Sequence, residues 1–161
     1  MHKGRRGNGF TMLELMMVLA VVAVLALVAL PSYVDRIVRQ QIGEALPLAD
    51  LAKPPVEAAW RAGTPLPHDN AAAGLPPPEK IVNQVVQSVS LEDGAIQIHF
   101  GHRAQHSLQG KVLTLRPAGV ADARVVPVTW LCGKAGAPPP MTAQGEDRTS
   151  VPVAYLPLRC R

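Results

Sequence analysis

The chain has 161 residues, 48% of them apolar, so it is about one domain's worth of sequence with room for one modest core. Its net charge is +4, but Lys3, Arg5 and Arg6 supply three of those charges within the first nine positions and leave the rest near +1. The basic balance is a property of one end, and it argues little for a nucleic-acid partner.

Residues 10–30 read FTMLELMMVLAVVAVLALVAL, with Thr11 and Glu14 as the polar exceptions. As a helix the run spans about 31 Å, close to the hydrocarbon thickness of a bilayer. The basic flank ahead of it holds the N-terminus in the cytoplasm. A secretory signal core is shorter, about 7–15 residues, and ends at a small-x-small site. No Ala-x-Ala triplet occurs between Ala20 and Ala29. Glu14 lies inside the apolar block, where a carboxylate costs on the order of 2–3 kcal/mol, so a role and a partner are expected for it.

Arg6-Gly7-Asn8-Gly9 followed by Phe10-Thr11-Met12-Leu13-Glu14-Leu15 resembles the prepilin leader and first helix of type IV pilins. The resemblance implies cleavage by a prepilin peptidase between Gly9 and Phe10, N-methylation of Phe10, and an assembly role for Glu14. It also implies that the apolar helix stays in the product.

Pro31 ends the apolar run, and Val34, Ile37, Val38 and Ile42 follow at helical spacing. This predicts one continuous helix, bent at Pro31 and amphipathic beyond it. Type IV pilins have a proline at this place too. Pro47, Pro54 and Pro55 disfavour helix in the residues before them, so a break is expected near Lys53-Pro54. Pro55 then opens a last short helix to about Ala62, with Val56, Ala59 and Trp60 as its apolar stripe. Trp60 is read as packing under the sheet. Residues 63–79, GTPLPHDNAAAGLPPPE, are a proline-rich connector.

From Ile81 the period changes to two. Val85, Gln87, Val89 and Leu91 form one alternating run, and Ile96, Ile98 and Phe100 the next, with Asp93-Gly94 as a hairpin signal between them. A third strand covers residues 111–116 and stops at Pro117. A fourth covers residues 125–132, where Pro127 calls for an edge position or a bulge. Four such strands make an antiparallel meander with one buried face, and the amphipathic part of the first helix is the available cover.

Cys132 and Cys160 are the two cysteines. They are either unrelated free thiols or, in an exported body where disulfides persist, a bridge around 27 intervening residues. Val128-Thr129-Trp130-Leu131-Cys132 and Tyr155-Leu156-Pro157-Leu158-Arg159-Cys160-Arg161 resemble the last-strand Trp-x-Cys and terminal Tyr-Leu-Pro-x-x-Cys of type IV pilins. The N-terminal motif is shared with secretion-system pseudopilins, whereas the Cys-bounded loop favours a true pilin. That loop is expected on the far side of the sheet from the helix.

Catalytic signatures such as Gly-x-Ser-x-Gly, a Walker loop or His-Glu-x-x-His do not occur. His99, His102 and His106 could converge on a metal, but no acid or cysteine lies close in sequence to complete a site, and solvated loop histidines are the preferred reading. Arg103, Lys111, Arg116 and Arg124 could form a basic face for DNA, yet Phe100 is the one aromatic near them. Scattered surface charge is the preferred account.

These readings predict an α+β protein: a long N-terminal helix, apolar then amphipathic, on a four-stranded antiparallel sheet with a disulfide-bounded C-terminal loop. Its parts are a leader at 1–9, a membrane or filament-core helix at 10–30, an amphipathic continuation at 31–62 and a head at 63–161. Within the head fall the connector at 63–79, the sheet at about 81–132 and the bounded loop at 132–160. The function expected from the resemblance is structural: a subunit polymerising into a type IV pilus for adhesion, motility or DNA uptake. The alternative is a minor pilin or pseudopilin that primes assembly or binds DNA. No enzyme activity, cofactor or metal is expected. The expected partners are pilin subunits, the inner membrane before assembly, a prepilin peptidase and an assembly platform, with the fibre at the cell surface.

Overall fold

The computed structural model describes residues 9–161, apart from the side chains of residues 30–32. The charged leader residues Lys3, Arg5 and Arg6 lie outside the described residues. Helix α1 is Met12–Ala49 and α2 is Lys53–Ala62. By its internal contacts the chain forms two units, Met1–Arg36 and Ile37–Arg161.

In the first unit Thr11 begins the helix. Its carbonyl accepts from Leu15 N at 3.1 Å, and its hydroxyl accepts from Glu14 N at 3.2 Å, filling one of the bonds a helix start leaves open. The chain is helical through position 31. The side chain responsible for the bend expected at Pro31 lies outside those described.

In the second unit Val38, Ile42, Ala45 and Ala49 of α1, then Ala52 and Val56, are buried at alternating steps of four and three. That spacing keeps one helical stripe turned inward. Pro47 does not interrupt α1. It is exposed, and the carbonyl that loses its helical donor belongs to Gly43, a residue with no side chain to crowd the ring. The break falls slightly earlier than the sequence predicts, across Asp50 to Ala52, where Asp50 N bonds Pro47 O at 3.2 Å and Ala52 N bonds Ala49 O at 3.0 Å. Pro54 and Pro55 both sit in the first turn of α2, where a missing N–H costs nothing.

Five strands follow: β1 Val86–Glu92, β2 Ala95–Phe100, β3 Val112–Gly119, β4 Thr129–Cys132 and β5 Thr142–Ala143. The antiparallel order is β1-β2-β3-β4, with the two-residue β5 added to the end of β3. The β1–β2 turn is Asp93-Gly94, with φ of 47° and 84°. Two left-handed residues in sequence match the twist of the strands they join.

Three strand expectations need correction. Gln87 is not on the inward face of β1: Val86 pairs with Phe100 and Ser88 with His99, so Gln87 is the extra residue of a bulge and Val86 turns inward instead. Pro117 does not end β3 but pairs with Trp130 inside it. On the other side β2 reaches only as far as the Ile96–Leu115 pair, so no ladder bond is asked of the proline nitrogen there. The fourth strand is half its expected length, because it starts at Thr129, beyond Pro127, and leaves Val125 84% exposed.

The helical stripe packs on Val86, Val89, Leu91, Ile96, Ile98, Phe100, Leu113 and Leu115 to form one core. The opposite face is not left to solvent, as a sheet with one buried face would leave it. Gln97 is 1% exposed and Thr114 is fully buried. The segment that covers them is the chain between the two cysteines.

Candidate functional site

Two regions carry the function-bearing residues. The first is the start of α1. Its large apolar side chains are exposed throughout, from 50% at Val18 to 83% at Phe10 and 73% at Val28. Such a surface has no place in water, because each large apolar side chain left exposed forgoes roughly 1.5–3 kcal/mol of burial. It fits a bilayer, or the same helix of another subunit. Glu14 stands on this surface. Its backbone N–H is used by the Thr11 cap, whereas its carboxylate has no hydrogen-bond or ion-pair partner among the described residues. Thr11-x-x-Glu14 has the spacing of a helix-start signature, and the sequence therefore already held the cap that the structure shows. Gly9 is exposed just before Phe10, so the peptide bond between them is accessible.

The second region is the loop closed by the Cys132–Cys160 disulfide, whose Cα atoms lie 4.4 Å apart. The path of this loop explains the buried polar residues of the sheet. From Cys132 it passes through β5, with Gln144 N donating to Pro117 O at 2.8 Å, and so reaches the β2 side of β3. It then crosses the outer face, where Gln97 Nε2 donates to Glu146 O at 3.4 Å. The Thr114 hydroxyl donates to Gln97 Oε1 at 2.6 Å and accepts from Arg148 N at 3.0 Å. Thr149 Oγ1 accepts from Thr114 N at 3.1 Å, and Ser150 N donates to Val112 O at 2.9 Å. Residues 149–151 thus continue, along the first half of β3, the edge that β4 occupies along the second half.

Ion pairs hold the crossing from outside. Arg148 bridges Glu92 at 2.6 Å and Glu146 at 3.0 Å, and Lys134 meets Asp147 at 3.1 Å. Partial burial pushes the Asp147 carboxyl up, but the hydrogen bonds from Thr149 and the charge of Lys134 outweigh it and hold its pKa below the ordinary carboxylate value. The far-side position of the loop, its bridge and its sheet contacts leave its outward residues presented on a fixed frame.

The remaining candidates do not come together. His99 is half-buried with Nε2 3.4 Å from Ser90 Oγ, whereas His102 and His106 are exposed on the following loop. No group of three metal-ligating side chains forms among the described residues. Arg116 is committed to the carbonyls of Gly133 and Ala135, at 3.5 and 3.2 Å, and Arg124 lies over the Trp60 ring at 5.2 Å. The ring of Trp60 fills space left by Gly119, where a Cβ would overlap it. Trp60 is a packing residue.

Sequence reasoning missed Asn70 and Asn83. Asn70 is 6% exposed; its side chain donates to Val89 O at 3.1 Å and accepts from Leu91 N at 2.7 Å, as a neighbouring strand would. Asn83 Oδ1 accepts from Val85 N and Val86 N at 2.8 and 2.7 Å. Together they close the outer edge of β1, which would otherwise offer unpaired backbone. Asn70 lies in the connector and Asn83 just ahead of β1, and at both places asparagine ordinarily signals only a turn.

Comparison with known proteins agrees with this geometry. Residues 4–30 match the prokaryotic N-terminal methylation motif, and residues 38–161 match the pilin family of bacterial filaments. A type IV major pilin protein, PilE1, of Neisseria gonorrhoeae is 35% identical over 95% of this chain and 86% of its own length. The fimbrial protein EcpC of Eikenella corrodens is 35% identical over 95% of this chain and 90% of its own length. A fimbrial protein of Neisseria meningitidis is 32% identical over 95% and 93%. With a methylation motif on the exposed apolar helix and a family match spanning the whole head, this chain belongs to the pilin family, as a structural subunit of a bacterial filament.

Proposed function

We propose that the chain is made as a membrane-anchored type IV prepilin and becomes the main repeating subunit of a surface fibre. A prepilin peptidase cuts between Gly9 and Phe10, and the new amine of Phe10 is methylated. The helix from Phe10 onward holds the precursor in the inner membrane with its N-terminus in the cytoplasm, then packs against its counterparts in the fibre on an assembly platform. One observation carries the reading: an exposed apolar helix surface on which the Glu14 carboxylate has no partner among the described residues. The amine of Phe10 is cationic at neutral pH, since an α-amino group titrates near 8. A Glu14 carboxylate facing that amine on a neighbour loses much of its desolvation cost and fixes the register of the stack. Relatives named as major pilin or fimbrial protein support a main subunit over a minor pilin or pseudopilin.

The test is the subunit recovered from sheared surface fibres. Its mass and N-terminal sequence should begin at a methylated Phe10, and it should be the most abundant protein in the preparation. A start beyond Ala29 overturns the processing reading, and trace abundance overturns the main-subunit reading.

A further inference from the structure

Gly9, Phe10 and Thr11 stand outside α1, which begins at Met12. Thr11 sets that boundary. Its carbonyl takes the first helical bond, from Leu15 N at 3.1 Å, and its hydroxyl takes the Glu14 N–H at 3.2 Å. A capping side chain is bonded in this way while its own backbone stays outside the helix, so it favours a start at one position. In a helix started one turn earlier, Glu14 N would donate to Phe10 O and Leu13 N to Gly9 O. Among the described residues neither of those carbonyls accepts a hydrogen bond. The earlier start has a sequence to support it. Phe10 belongs to the apolar run, and Asn8 is of a type that caps helices well, although Gly9 disfavours the helical form. Gly9 itself lies in open space, with nothing within 4 Å of where a Cβ would stand, so no contact within the chain holds it out of the helix.

We infer, resting on the cleavage proposed above, that Thr11 is a positioning residue for processing: its cap stops the helix just past the scissile bond and keeps Gly9–Phe10 non-helical. Hydrolysis adds water across the Gly9 carbonyl, with the new carboxylate left on Gly9 and the amine on Phe10. The carbonyl carbon must therefore be open to attack and its oxygen free to be polarised. In the earlier helix that oxygen would be bonded to Leu13 N, and the neighbouring side chains would ring the bond. A cleft that binds its substrate through the main chain takes an unwound segment. A bond wound into a helix is then cut only in the fraction of chains in which it is open. Thr11 keeps that fraction high. Cap and capped amide both lie on the product side of the cut, so the first turn stays bonded after the leader has gone.

The full-length precursor in detergent micelles is given to a prepilin peptidase, and initial rates of leader release are measured over a range of precursor concentrations. Thr11→Val keeps the shape and loses the capping oxygen, whereas Thr11→Ser and Thr11→Asn change the shape and keep one. The valine variant should lose on the order of five-fold in kcat/KM, the worth of one cap. The loss should fall in KM, because the competent fraction drops while bond breaking is unaltered. The serine and asparagine variants should stay within about two-fold of wild type. Carbon chemical shifts of labelled Gly9 and Phe10, read before peptidase is added, should move toward helical values in the valine variant alone. A valine variant cut as fast as wild type overturns the assignment. Slow cutting without the change at Gly9 and Phe10 also overturns it, because the peptidase then reads the Thr11 hydroxyl directly. So does an asparagine variant cut as poorly as the valine one. A wild-type precursor that is not cut between Gly9 and Phe10 at all rejects the processing reading itself, and the role of Thr11 falls with it.

Discussion

Val28 is 73% exposed and Val38, ten residues on in the same helix, is fully buried. The residue type and the secondary structure are the same at both positions. What differs is the supply of partners within the chain. Beyond Ile37 the helix turns its stripe to a sheet whose Val86, Val89, Ile98 and Phe100 complete a core, whereas the described residues of the first unit carry no second layer. The head is a self-sufficient domain that happens to own part of a helix, and the first unit is half of an interface. A membrane and a fibre core can supply the other half in turn because hydrophobic burial is non-directional. Specificity along the apolar run of the first unit must then come from Glu14, the one charged group between Phe10 and Leu30, and in the head from packing and hydrogen bonds.

The sharpest way to break this comparison is Glu14→Leu. If the first unit functions only through outside partners, the variant should insert, be cleaved and form its disulfide, yet give at least ten-fold fewer sheared fibres. Head stability should stay within about 0.5 kcal/mol of wild type, as for a surface change remote from the core. Fibres of normal yield and length would remove the pairing role of Glu14. A destabilised head would mean that the two units are not independent.

The converse change is Cys160→Ser, which acts on the head alone. Opening a loop of this length should cost about 3–4 kcal/mol in chemical denaturation, where a loss under 1 kcal/mol would show that the loop is held by its hydrogen bonds. Fibre yield should fall through loss of folded subunit, and lowering the growth temperature should restore part of it, which it cannot do for Glu14→Leu.

How much of this was legible in advance follows the same division. The apolar helix, Glu14, the Asp93-Gly94 turn and the two cysteines announce themselves because each depends on local chemistry or a short motif. The covered outer face was not legible, because Gln97 and Thr114 alternate with Ile96, Ile98, Leu113 and Leu115 as solvent-facing polar residues would. Only the path of a distant loop makes them interior. Pro117 misled for a related reason: a proline ends a strand only where a neighbour requires its N–H, and the neighbour's length is set elsewhere. The Gln87 bulge likewise depends on the partner strand. Asn70 and Asn83 act on a strand edge that exists only after the sheet has formed.

A test of the covered face is Thr114→Val. The substitution keeps shape and burial but leaves Gln97 Oε1 without its donor and Arg148 N without its acceptor. One buried acceptor and one part-buried donor left unpaired should cost about 1–3 kcal/mol, most of it at Gln97. The disulfide should form as before, and backbone amide exchange should rise at residues 148–151 ahead of the helical stripe. A neutral result would mean that water reaches this face and that the loop covers it only loosely.

The smallest expected effect concerns Asp147, which ties the same crossing to Lys134 from the solvent side. Its folded pKa lies below the ordinary carboxylate value near 3.9. The unfolded chain therefore takes up the proton first as pH falls, and folding loses stability over the interval between the two values. Above the unfolded value the contribution is complete; it declines as pH falls through the folded value and is absent below it. Asp147→Asn keeps an oxygen to accept from Thr149 N, now at 2.9 Å, but has no charge to offer Lys134. At neutral pH the variant should be about 0.5–1 kcal/mol less stable than wild type, the range of a partly exposed pair. The difference should shrink steadily below about pH 4 and vanish in stronger acid. Fibre yield at neutral pH should hardly change, since the disulfide and the Thr114 network still hold the loop. A gap between variant and wild type that persists undiminished in acid would mean that Asp147 acts through shape and hydrogen bonding, with its charge contributing nothing to the frame on which the loop is presented.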